Sequence, residues 1–122
     1  MQDFQKLLVW RRAHAFALRI DVAVRTFPRT GSASLRAQLS RAADSIAANI
    51  VEGCGAASQR EFARYLDIAI KSASETQYHA LSAGDRRLIP GAECEKLVDE
   101  AVQIRRMLYG LRKKVLLDLT EN

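Results

Sequence analysis

The sequence predicts an all-α domain, an antiparallel up-down-up-down four-helix bundle spanning residues 1–122. Three observations carry this. Apolar residues recur at steps of three and four along nearly the whole chain, with no strand-like alternation. The prolines, Pro28 and Pro90, stand where one helical pattern gives way to the next. The stretches between patterns are short, so consecutive helices must be antiparallel neighbours.

The first helix is predicted from about Asp3 to Phe27, with a core face of Trp10, Ala13, Phe16, Ala17, Ile20, Ala23, Val24 and Phe27. Pro28-Arg29-Thr30-Gly31 reads as a turn. The second helix opens near Ser32 and stops at Gly53 or Gly55; its buried lane is Leu35, Leu39, Ala42, Ile46 and Ile50. The third opens on a capping box, Ser58-Gln59-Arg60-Glu61, in which Ser58 and Glu61 satisfy each other's free amides. Its core lane is Phe62, Tyr65, Leu66, Ala69, Ala73, Thr76, Ala80 and Ala83, small enough for close helix approach. Gly84 to Gly91 reads as a loop. The fourth helix carries Leu97, Ala101, Ile104, Leu108, Leu111 and Val115, the alternating seam of a left-handed bundle.

A chain of 122 residues with 48% hydrophobic and 27% charged content is one soluble domain with a real core. No apolar run approaches the ~20 residues of a membrane span, and the start lacks a secretory pattern. Cys54 and Cys94 lie in separate segments without metal spacing, so reduced thiols and a cytoplasmic location are expected. A net charge of +5 points weakly to an acidic partner such as RNA or DNA.

Catalytic chemistry is not expected. A dimetal bundle needs a repeated Glu-x-x-His pair, and the only histidines are His14 and His79. Glu75 and His79 share a face without a second copy, so no metal or other cofactor is expected. Cys54 lacks an activating histidine nearby, and Gly53 and Gly55 lack the lysine of a phosphate loop.

Three surface features remain. Gln38, Arg41, Ser45, Asn49 and Glu52 form a polar stripe beside the apolar lane of the second helix. It reads as a structural network reaching Glu75 and Thr76, or else as a polar pocket. A second apolar lane runs along the first helix (Leu8, Ala15, Leu18, Val22) and along the fourth (Val98, Val102, Tyr109, Leu116). A bundle helix hides one stripe, so these lanes predict subunit contacts in a homo-oligomer. Arg11, Arg12 and Arg19 lie off the core face and are the expected nucleic-acid contacts, to phosphate rather than to bases. The acid-to-basic polarity of the fourth helix is accounted for by its macrodipole.

Several of these residues also carry a resemblance. The matching elements are Phe4, Leu7, Trp10 and Ala13; the run from Leu35 through Gln38-Leu39, Arg41-Ala42, Ser45-Ile46 and Asn49-Ile50 to Glu52-Gly53; and Ser58, Glu61-Phe62, Tyr65-Leu66, Ile68-Ala69, Ser72 and Glu75-Thr76. Over about residues 4–80 the chain resembles the bacterial four-helix-bundle proteins of the 23S rRNA intervening-sequence (S23) family. It departs at Val51, where the family usually has alanine, and at residues 85–89, where a Leu-Gly-Tyr-like element is usual. The resemblance implies a ring-like homopentamer without known enzymatic activity. Some such proteins are encoded inside ribosomal RNA genes, and a distant relative binds nucleic acid for retroelements. A protein-interaction scaffold with no nucleic-acid role is the competing expectation.

Overall fold

Helix α1 spans Leu8–Val24, a shorter stretch than the periodicity predicts, in a computed structural model that describes residues 2–28 and 30–121. Phe4–Lys6 forms a separate 3-10 turn, which Asp3 caps by accepting the Gln5 N–H at 3.0 Å. Leu7 is extended (φ −81, ψ 124), which interrupts the helical ladder. The reason is tertiary: the Gln2 N–H donates to the Cys54 carbonyl at 3.2 Å, drawing the leading segment to the end of the next helix. At the other end Phe27 is buried from a turn, not from the helix. Arg29, within the expected turn, lies outside the described residues.

The register of α1 also corrects the core. Val9 is buried and Trp10 is only half-buried. Trp10 instead stacks on His14 (5.1 Å between centroids, 6° between planes) and meets Phe4 edge-on at 4.9 Å.

Helix α2 spans Ala33–Cys54 and ends at the expected glycines. Helix α3 spans Gln59–Asp85. Ser58 Oγ accepts the Glu61 N–H at 3.1 Å, but the reciprocal half of the box is not made: Glu61 turns to Arg64 at 2.7 Å. A nearby cation outcompetes a backbone amide for an exposed carboxylate.

Gly84 does not end α3; the helix runs through it, and the expected loop contracts to 86–90. A side chain at 84 would collide with Cys94 Sγ, so glycine here serves close packing on α4 rather than termination. The helix ends in a Schellman motif. Leu88 N–H donates to the Ala83 carbonyl at 2.9 Å and Arg87 N–H to the Gly84 carbonyl at 3.0 Å. Arg87 holds the left-handed position (φ 60) that glycine usually fills. Arg87→Gly is expected to stabilise the fold by about 0.5–1 kcal/mol, read as a higher urea midpoint at unchanged slope.

Helix α4 spans Gly91–Glu121. The helices pack in sequence order, α1 on α2, α2 on α3 and α3 on α4, and α4 closes onto α1 without diagonal contacts. This is the antiparallel up-down-up-down bundle. Phe16, Ile20, Leu39, Ile46, Ile50, Leu66, Leu97, Ile104 and Leu108 fill its centre. Arg12 pairs with Glu100 and Arg19 with Glu93, so α4 runs antiparallel to α1 from its first turn. At ~1.5 Å per residue α4 is about 46 Å long and α1 about 26 Å. The last turns of α4 therefore outrun α1.

Candidate functional site

The polar stripe of α2 lines an outer groove between α2 and α3. Ser45 is the residue that crosses it, its Oγ lying 2.8 Å from Ser72 Oγ. Asn49 Nδ2 donates to the Ser45 carbonyl at 2.8 Å and to Ser45 Oγ at 3.0 Å. Thr76, fully buried, donates back to the Ser72 carbonyl at 2.7 Å. Gln38 donates to Ser34 Oγ at 2.9 Å. The side chains of Arg41 and Glu52 are exposed and make no hydrogen bond or ion pair among the described residues. Glu75 is exposed, with Oε2 3.9 Å from His79 Nε2.

The stripe thus reaches α3 through Ser72 rather than through Glu75 or Thr76. The sequence signal for Ser72 was a small polar residue one turn before Thr76 on the α2 side of α3. Ser45→Ala strands the buried Ser72 hydroxyl and is expected to cost about 1–2 kcal/mol. In a double-mutant cycle measured by chemical denaturation, Ser45→Ala with Ser72→Ala should cost less than the two single changes summed.

The groove widens in two places. A small cleft lies among Gln38, Arg41, Ala42, Ser45 and Glu75. A larger one, about 280 Å³, is walled by Gly31, Ser34, Leu35 and Gln38 at the start of α2 and by Tyr78, His79, Ser82 and Arg86 at the end of α3.

Of the expected phosphate contacts on α1, Arg12 and Arg19 sit in ion pairs of the chain's own. Arg12 donates to Glu100 at 3.0 and 2.5 Å, and this hydrogen bonding raises its pKa above the ordinary arginine value. Arg19 donates to Glu93 at 3.2 and 3.3 Å. Arg11 Nε donates to the Gln5 carbonyl at 2.9 Å. On α4, Arg112 pairs with Asp67 at 2.5 Å and Arg105 donates to Gln77 at 2.5 Å.

The outward lane of α1 is strongly exposed: Leu8 at 60%, Leu18 at 54% and Val22 at 58%, directly opposite the buried face. On α4, Tyr109 is 55% exposed, whereas Val98, Val102 and Leu116 are half-buried and flank α3. Tyr78 and Leu81 of α3 add exposed apolar surface that the sequence did not single out. Neither thiol is activated: burial pushes both Cys54 and Cys94 above the usual thiol value. Among the described residues no cluster of three His, Cys, Asp or Glu side chains suits a metal ion, and no helix is long and apolar enough to cross a membrane.

Comparison with known proteins adds the following. The profile of the family described as 23S rRNA-intervening sequence protein matches residues 5–110. The fold is similar to the crystal structure of a protein with unknown function from the S23 ribosomal protein family of Bacteroides thetaiotaomicron. The TM-score is 0.81 at 27% identity, covering 87% of this chain and 99% of that one. No curated protein matches.

Proposed function

The chain belongs to the 23S rRNA-intervening sequence protein family, and from that premise we propose that it is a non-enzymatic, self-assembling helical scaffold. One observation carries this reading: the exposed apolar lane of Leu8, Leu18 and Val22 on the face of α1 opposite the core. Side chains this apolar, repeated along one helix face, mark a contact surface.

A second apolar patch supports a ring in particular. Where α4 outruns α1, Tyr109 and Leu116 line a groove with Arg112 and Lys113. Two different patches on one subunit favour a head-to-tail contact over a two-fold dimer, and such a contact forms a ring where the rotation between subunits closes. The pentamer implied by the resemblance is such a ring. The hydrogen bonding of Ser45 to Ser72 and the unactivated thiols support a scaffold over an enzyme.

Light scattering on the purified chain tests the proposal. A mass about five times 13.6 kDa is expected, and a monomer at micromolar concentration overturns it.

A nucleoprotein role is the second reading, favoured by the net charge of +5. It requires Arg11, Arg12 and Arg19 to contact phosphate, and in this structure Arg12 and Arg19 already serve Glu100 and Glu93. Retention on RNA that falls steeply with salt supports it, and salt-insensitive elution removes it.

A further inference from the structure

We propose that single-stranded RNA lies along the outer seam between α3 and α4, its phosphates on Lys71, Arg105, Arg106 and Lys113 and a base on Tyr109. The proposal rests on the nucleoprotein reading for its partner and moves the contact from α1 to a different face.

The first observation is a charge that the helix itself does not explain. Between residues 105 and 118, α4 carries Arg105, Arg106, Arg112, Lys113 and Lys114 against Asp118 alone. The macrodipole, to which the sequence assigns this polarity, acts within the last turn of a helix. The last turn of α4 holds no basic residue, and Arg105 and Arg106 lie about four turns before its end.

The second observation is where packing puts these charges. Two contacts fix the seam: Arg112 pairs with Asp67 at 2.5 Å, and Arg105 donates to Gln77 at 2.5 Å and to Ser74 at 3.2 Å. Lys71 stands between Asp67 and Ser74 on one lane of α3, and Tyr109 between Arg105 and Arg112 on the facing lane of α4. Lys71 is exposed, and the Tyr109 ring is 55% exposed. Arg106 and Lys113, both exposed and two turns apart, continue the row on the solvent side of α4.

The third is the balance of charge. Asp67 is taken up by Arg112, and Arg105 meets two neutral partners. Lys71, Arg106 and Lys113 make no ion pair among the described residues. The seam therefore carries a row of uncompensated cations, whereas Arg12 and Arg19 each hold a carboxylate. Such a row draws a polyanion and releases its counterions.

The rings and the neutral groups narrow the partner. An exposed ring among cations is a platform for an unpaired base, which a duplex keeps in its own stack. Tyr78, 64% exposed and two turns on from Lys71, puts a second ring on the same side of α3. Ser74 Oγ accepts from Arg105 and keeps its own proton to donate, so a neutral donor stands beside the phosphate contacts. That placement suits the 2′-hydroxyl of RNA.

Fluorescence anisotropy of the whole chain, over a salt series, tests this with an oligouridylate, the corresponding deoxy strand and an RNA duplex. The oligouridylate should bind at least tenfold tighter than the other two. Lys71→Gln with Arg106→Gln should weaken it at least tenfold and flatten the log–log salt slope by about 1.4, for two phosphates at ~0.7 each. Tyr109 and Lys113 also border the apolar groove near the end of α4, whereas Lys71 and Arg106 do not. The double variant should therefore keep the parent's mass by light scattering and its melting temperature. Tyr109→Leu, which keeps apolar surface and removes the ring, should weaken the single strand at least fivefold and leave the duplex unchanged. Arg11→Gln separates the two faces. If it abolishes salt-sensitive binding while the double variant binds like the parent, the nucleoprotein reading stands on α1 and this proposal falls. Absence of salt-sensitive binding by the unmutated chain overturns both. Equal affinity for the deoxy strand or the duplex, or binding to phosphatidylserine vesicles in place of RNA, overturns this proposal as well.

Discussion

Replacing Leu18 and Val22 together by glutamate is expected to turn the proposed assembly into folded monomers of about 13.6 kDa. Both side chains are more than half exposed in the single chain, so the bundle itself loses almost nothing. In the proposed assembly the same positions would lie in an apolar contact, where an unpaired carboxylate costs several kcal/mol on the order expected for burying a charge. Helical circular dichroism should stay at the parent value while light scattering falls to one subunit. An unchanged mass with both glutamates present would place the contact elsewhere. Loss of helicity together with mass would mean that the lane serves the fold itself.

The second large effect is a pair of opposite signs for one substitution. Gly53→Ala should destabilise the bundle, whereas Gly110→Ala should stabilise it. Both glycines are helical, so alanine gains up to ~1 kcal/mol of helix propensity at either position. At Gly53 the added Cβ would sit 2.8 Å from Phe62 Cδ1 and 3.2 Å from Tyr65 Cβ. Phe62 is buried, and the Tyr65 Cβ is held by the backbone of α3, so neither can yield cheaply. Overpacking of this kind costs about 1–3 kcal/mol, enough to outweigh the propensity. At Gly110 nothing lies within 4 Å, and only the gain remains. Urea denaturation of the two variants beside the parent decides the matter. Equal shifts of the same sign would show that α2 and α3 do not meet as closely as the structure has them.

The positions of Gly53 and Gly84 show how far a glycine can be read from sequence. Each looks like a helix stop. Gly53 does stand at the end of α2, yet what excludes a side chain there is the Phe62 ring of α3. Gly84 is not a stop at all, since the space for its Cβ is taken by Cys94, ten residues on along the chain. Local pattern cannot separate a glycine that ends a helix from one that admits a neighbour.

By itself the sequence determined the number and order of the helices, the buried faces of α2, α3 and α4 apart from Leu35, Tyr65 and Leu111, which are only half-buried, the Ser58 cap and the outward apolar lane of α1. These follow from the helical period and from residue chemistry within a few positions, which are local quantities. Only the tertiary structure decided where α1 begins, because that depends on a bond from Gln2 to Cys54. It also chose Ser72 as the partner of Ser45, Glu100 and Glu93 as the partners of Arg12 and Arg19, and the cleft that joins the start of α2 to the end of α3. Those pairings are set by the rotation and axial shift of one helix against another. That relation emerges from the packing of the whole core, and residue spacing along one helix does not contain it.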